Sequence, residues 1–152
     1  MSHFDDCIHA LEKALDITAE YEATHAVLEL DGSFFDLYYE AEADRVMALT
    51  MVADFGDSPS AQDQGAICKQ LLKAQFCFAG TGDLCFGLSN DDRFIALQGL
   101  WHLGTMSEHE FMVAFESLVQ AARLWHSRLE DAESGVPSAE FREMASMGML
   151  RV

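Results

Sequence analysis

Six histidines, four cysteines and 26 Asp and Glu residues are the groups through which this chain of 152 residues could do chemistry. A zinc site would need donors at a spacing such as His-Glu-x-x-His or paired Cys-x-x-Cys, which bring several ligands to one helical face or turn. His109-Glu110 begins the first pattern without completing it, and no Cys-x-x-Cys pair occurs. His102 and His109 lie seven apart across a predicted loop and helix start, while His3 and His9 flank one turn of a predicted first helix. These read as surface or partly packed histidines, so neither a metal nor another cofactor is expected. Gly80-Thr81-Gly82 has the composition of a phosphate loop but follows a helix pattern and precedes a strand. A phosphate cradle needs the opposite order, with the loop feeding a helix N-terminus whose N–H groups point at the anion. A helix cap and turn is the better account. No Gly-x-Ser-x-Gly or local Cys-His-acid signature is present, and Asp5-Asp6 and Asp91-Asp92 fall at a helix start and a turn, where solvation explains them. The expectation is a protein that is not an enzyme. The alternative that stays open is a small α+β enzyme or ligand-binding domain whose site is assembled from residues distant in sequence.

Charge narrows the partners. Nine Lys and Arg against 26 Asp and Glu give a net charge of −17, which argues against nucleic acid and against an anionic membrane surface. Residues 1–66 hold 15 acids against only Lys13 and Arg45, a net of −13, whereas residues 67–152 have a net of −4. Such a field either steers a basic partner or simply solvates one face. No apolar run reaches the roughly 20 residues of a membrane span, and the start, Met1-Ser2-His3-Phe4-Asp5-Asp6, is acidic where a signal peptide is basic. Cys7, Cys68, Cys77 and Cys85 sit inside apolar patterns and read as reduced core thiols of a cytoplasmic protein.

The elements that must position these residues follow from periodicity. Ser2 caps a predicted helix running to about Glu20, with Phe4, Ile8, Leu11 and Leu15 as its buried stripe. Strand patterns follow at His25–Leu30, Phe34–Glu40 and Arg45–Val52, with Asp31-Gly32 as a hairpin turn between the first two. Ser58-Pro59 opens a second helix to about Phe78. Short strands at Leu84–Leu88 and Arg93–Gly99 come next, and the capping box Ser107-Glu108-His109-Glu110 opens a third helix to about Asp131. The order is αβββαββα, an α+β fold with an antiparallel sheet packed against helices. Residues 1–133 read as one domain and residues 134–152 as a tail, whose Met144, Met147 and Met149 have no account from sequence.

Both sheet faces carry apolar residues. Phe35, Leu37 and Tyr39 share one face of the second strand, while Phe34 and Tyr38 share the other with Asp36 and Glu40. In the third strand Val46, Ala48 and Val52 oppose Met47, Leu49 and Met51. Three helices are too few to cover both faces, so apolar sheet surface is left for a partner, and Met47 and Met51 suit a surface that accepts varied ones.

One stretch also resembles a known family. Ile67-Cys68-Lys69-Gln70-Leu71-Leu72-Lys73-Ala74-Gln75-Phe76 leads to Gly80-Thr81-Gly82-Asp83-Leu84-Cys85-Phe86-Gly87-Leu88, then to Ser89-Asn90-Asp91-Asp92 and Arg93-Phe94-Ile95-Ala96-Leu97. A long helix pattern follows through Phe111, Phe115, Leu118, Ala122, Trp125 and Leu129. This succession resembles the class I type III secretion chaperones, the Tir chaperone family. Departures are Gln75 where such chaperones often carry Asn, and Gln98-Gly99-Leu100-Trp101 in place of a Leu-Pro segment. The resemblance implies a bacterial, cytoplasmic homodimer that binds the extended, non-globular N-terminal segment of one or more effectors, adding a strand to a sheet edge and filling apolar grooves. It implies dimer contacts at Ile67, Leu71, Ala74 and Phe78, although that stripe could equally pack on its own sheet. It implies an effector groove from Phe4, Ile8, Val27, Phe35, Leu37, Met47 and Leu49. A regulatory binding protein of the same fold, sequestering a secretion regulator, is the neighbouring alternative.

Overall fold

A computed structural model describes residues 2–56 and 61–133. Among them the order is α1 (His3–Leu15), β1 (Glu20–Glu22), β2 (His25–Leu30), β3 (Ser33–Glu40), β4 (Arg45–Asp54), α2 (Ala61–Gln75), a 3₁₀ turn (Phe76–Phe78), β5 (Cys85–Leu88), β6 (Phe94–His102), a second 3₁₀ turn (Leu103–Thr105) and α3 (Glu108–Glu133). The Ser58-Pro59 helix start and the tail methionines lie outside the described residues.

Ser2 caps α1 as its chemistry requires. The Ser2 Oγ accepts the Asp5 N–H at 3.2 Å, and the Asp5 carboxylate takes the Ser2 N–H at 2.7 Å. Those bonds from Ser2 hold the Asp5 carboxyl below its ordinary value. The helix stops at Leu15, five residues short of the expected Glu20, because Asp16 turns left-handed at φ 53° and returns its N–H to the Glu12 carbonyl. The Glu12 carboxylate then takes the Ala19 N–H at 2.9 Å. Glu20, the expected helix end, instead begins β1, a short exposed strand that three-residue patterning does not announce.

The sheet is antiparallel throughout, in the order β1-β2-β3-β4-β6-β5. Asp31 and Gly32 both have positive φ, 52° and 78°, as a tight hairpin turn demands. In β6 the Trp101 ring and Leu84 pack over the backbone of residue 99, which leaves room only for glycine. A Cβ there would lie 2.8 Å from the Trp101 ring and 3.1 Å from Leu84. A bulge shifts the β4–β6 register between Met51 and Ala53, and the His126 Nε2 of α3 donates to the Met51 carbonyl at 2.8 Å.

The core lies between one sheet face and the helices α1 and α3. Ala26, Leu28, Phe35, Leu37, Val46, Ala48, Leu97 and Trp101 point inward and are buried. The whole stripe expected on α3, Phe111, Phe115, Leu118, Ala122, Trp125 and Leu129, is buried against them. Edge-on ring contacts lock the layers: Phe35 with Phe115 at 5.5 Å, Trp101 with Phe111 at 5.6 Å, and Phe86 with Trp125 at 5.0 Å. Each fully buried Phe or Leu contributes about 1.5–3 kcal/mol. The capping box at Ser107 and Glu110 forms as expected, with the Ser107 N–H and Oγ each 2.8 Å from the Glu110 carboxylate.

Candidate partner-binding surface

Strand alternation sends every second side chain to the other face of the sheet, away from α1 and α3. In β3 these are Phe34, Asp36 and Tyr38; in β4 they are Met47, Leu49 and Met51; β6 adds Leu100. Register sets them in rows. His25, Tyr38, Met47 and Leu100 face one another in succession, and Val27, Asp36, Leu49 and Gln98 form the next row. Phe34 is 58% exposed, Leu100 53%, Met51 48%, Tyr38 42% and Met47 38%. Scattered exposed apolar residues are ordinary; a contiguous sheet face of them is not.

This division separates the seven groove candidates. Met47 stands exposed on the outer face, with Val27 and Leu49 half-buried beside it. Phe4, Ile8, Phe35 and Leu37 are at most 1% exposed, because they fill the core between the sheet, α1 and α3. A partner resting on this conformation does not touch them. Sequence reasoning left Phe34, Tyr38 and Leu100 out of the groove, while it read Met51 with Met47 as partner surface. Their alternation with the inner set was the signal, but it does not tell which face the helices take.

The α2 candidates divide in the same way. Ile67 and Leu71 are buried against their own chain, Ala74 is half-buried, and Phe78 is exposed. Gln75 fixes this rotation. Its Nε2 donates to the Leu84 carbonyl at 3.2 Å and its Oε1 accepts the Phe86 N–H at 2.9 Å, so one side chain binds α2 to the outer edge of β5. The side turned outward carries Leu72, 72% exposed, with Phe76 and Phe78 after it. Leu72 and Phe76, four apart, were legible as a second stripe one position along from Leu71.

Charged groups lie around these surfaces. His25 Nε2 lies 3.0 Å from Asp36 Oδ1 on the outer face. Arg93 and Asp54 pair at 3.1 Å, and that bond with the Gly56 N–H holds the Asp54 carboxyl below its ordinary value. Among the described residues no group of three His, Cys, Asp or Glu is placed to hold a metal ion. Cys7 is buried; desolvation first, then the Glu108 and Asp6 carboxylates, push its thiol up to about 11, leaving no thiolate at neutral pH. The expectation of core thiols needs correction for Cys77, which is exposed because the Phe76–Phe78 turn projects outward at a left-handed residue, φ 54°. No helix among the described residues is long and apolar enough to cross a membrane.

The solved structures that this chain matches at low identity include three complexes. The ExsC-ExsE complex matches with TM-score 0.65 and 16% identity over 82% of this chain and 91% of that one. The HopA1-SchA chaperone-effector complex matches with TM-score 0.60 and 11% identity over 82% and 94%. The ExoT-SpcS complex from Pseudomonas aeruginosa matches with TM-score 0.53 and 20% identity over 80% and 95%. At these identities the likeness shows the fold, the α+β architecture of secretion chaperones. A search of curated protein sequences finds no match. The profile of the Tir chaperone protein family matches residues 6–126, from Asp6 in α1 to His126 in α3. The chain therefore belongs to the Tir chaperone protein (CesT) family.

Proposed function

We propose that this protein is a type III secretion chaperone that binds the extended N-terminal segment of one or more effector proteins and keeps it competent for export. The observation that carries this is the exposed apolar outer face of a sheet in a chain of this family, Phe34, Tyr38, Met47, Met51 and Leu100. A non-globular segment buries that face with alternate side chains, while main-chain pairing to a sheet edge adds affinity that tolerates sequence change. The β5 edge is partly occupied by Gln75, and β1, with Glu20, Tyr21 and Glu22 exposed, is the open edge. The protein acts by binding, without catalysis, metal or cofactor, in the bacterial cytoplasm.

The working unit in this reading is a homodimer joined through α2 and the turn after it. Leu72, Phe76 and Phe78 supply the apolar contact that Ile67 and Leu71, turned inward, do not. Residues 1–133 form the chaperone domain.

Affinity capture from the native cell, with mass spectrometry of bound chains, tests the function. The expected catch is a protein whose N-terminal segment alone suffices for binding and is protease-resistant only in the complex. Capture of a partner solely through a folded domain, or of a small molecule in its place, would overturn the reading.

A further inference from the structure

Asp36 sits among the apolar residues at the centre of the outer face, whose borders carry Glu29, Glu40 and Gln98. Its neighbours along β3 are Phe34 and Tyr38, and across the strands Val27 and Leu49. The Asp36 side chain is 31% exposed, enough to reach an incoming group but already partly withdrawn from water. Oδ1 meets the His25 Nε2 at 3.0 Å, and the imidazole is stacked on the Tyr38 ring at 4.4 Å with an interplanar angle of 10°. His25, held by the stack, serves Oδ1 of the carboxylate.

Covering the surrounding apolar residues strips the remaining water from this carboxylate. A carboxylate enclosed by Phe34, Tyr38, Val27 and Leu49 with one imidazole donor is costly unless a further donor or cation arrives with the cover. We infer that Asp36 selects a cationic side chain, arginine above lysine, at one fixed position in the bound polypeptide segment. A guanidinium offers donors in a fork that matches the carboxylate, and its plane packs on the Tyr38 or Phe34 ring while its stem lies along the apolar surface. The net charge of −17 favours the same partner at long range, and Asp36, the carboxylate set among the apolar residues, gives the preference a position. The occupant is thus a segment with apolar residues at regular spacing and one arginine among them. This inference rests on the outer face being the effector surface.

The test uses selection of a random displayed peptide library on the full chain, as wild type, D36N and M47E. Asn at position 36 can still accept from His25 through Oδ1, so D36N removes charge with little change of shape. Wild type and D36N should both enrich apolar residues, and only wild type should enrich arginine at a constant spacing from them. A selected arginine peptide should bind wild type about tenfold tighter than its glutamine counterpart, as a charge-assisted pair does against a neutral one. On D36N the two should be equal within about twofold. Arginine enrichment that persists on D36N, or a glutamine peptide that binds wild type equally well, would overturn the role of Asp36. M47E selecting the same apolar peptides as wild type would instead overturn the outer-face reading beneath it.

Discussion

Glutamate placed at Leu37 and at Leu100 should separate folding from binding, although both are leucines in the same sheet. Leu37 is 0% exposed and lies in register between Ala26 and Ala48. Losing its burial removes about 2 kcal/mol, and an unpaired carboxylate in that layer adds about 3 kcal/mol or more. The total, about 5 kcal/mol, is comparable to the whole stability of many domains, about 5–15 kcal/mol. With a urea slope of about 2 kcal/mol per molar, Leu37→Glu should lower the midpoint by about 2.5 M or leave no folded protein. Leu100 is already 53% exposed, so the same change removes about half of a leucine's burial, roughly 1 kcal/mol, and shifts the midpoint by about 0.5 M. Binding should respond in reverse. A partner that covers Leu100 loses the remaining contact and must desolvate a charge, about 2–3 kcal/mol, or a roughly 30-fold to 150-fold faster dissociation. Urea unfolding followed by circular dichroism measures the first effect, and dissociation of the captured partner measures the second. Equal midpoint shifts would refute the assignment of the two faces. An unchanged off-rate for Leu100→Glu would refute the outer face as the contact surface.

Leu72→Glu combined with Phe76→Glu should give a monomer by light scattering at micromolar concentration with unchanged circular dichroism, since both side chains project outward; a dimer that persists would remove α2 from the interface. Raising salt from low to about 0.5 M should slow partner association and leave dissociation nearly constant, because screening shortens the reach of exposed charge; affinity lost through faster dissociation would contradict this. Thiol labelling at neutral pH should modify exposed Cys77 quickly and Cys7 only as fast as the chain opens. Because the folded Cys7 thiol is pushed up to about 11 from an ordinary 9.0, its contribution is intact below pH 9 and declines as pH rises through 11; stability that is flat across that window in wild type and in Cys7→Ala alike would show no such linkage.

Local chemistry was sufficient for much of the framework. Ser2 and Ser107 open helices because a hydroxyl and a carboxylate three residues on satisfy free N–H groups, whatever the rest of the chain does. Asp31-Gly32 turns the first hairpin because both positions accept positive φ, and the α3 stripe was readable because its period is that of one buried helical face. The family resemblance rested on the same order of elements. Where the pattern was ambiguous, only packing decided. Alternation places Phe35 opposite Phe34 and Leu37 opposite Tyr38, both sets carry large apolar residues, and only Asp36 and Glu40 beside Phe34 and Tyr38 hint at which one the helices leave uncovered. The docking of α1 and α3 makes Phe35 and Leu37 core and leaves Phe34 and Tyr38 outside. On α2 the tie between Leu71 and Leu72 is broken by Gln75, whose bonds to Leu84 and to Phe86 of β5 join residues nine and eleven positions away. Likewise Asp36 is one acid among 26 until strand register surrounds it with apolar side chains from three strands. Such selections depend on contacts between distant segments, and those exist only once the sheet is assembled.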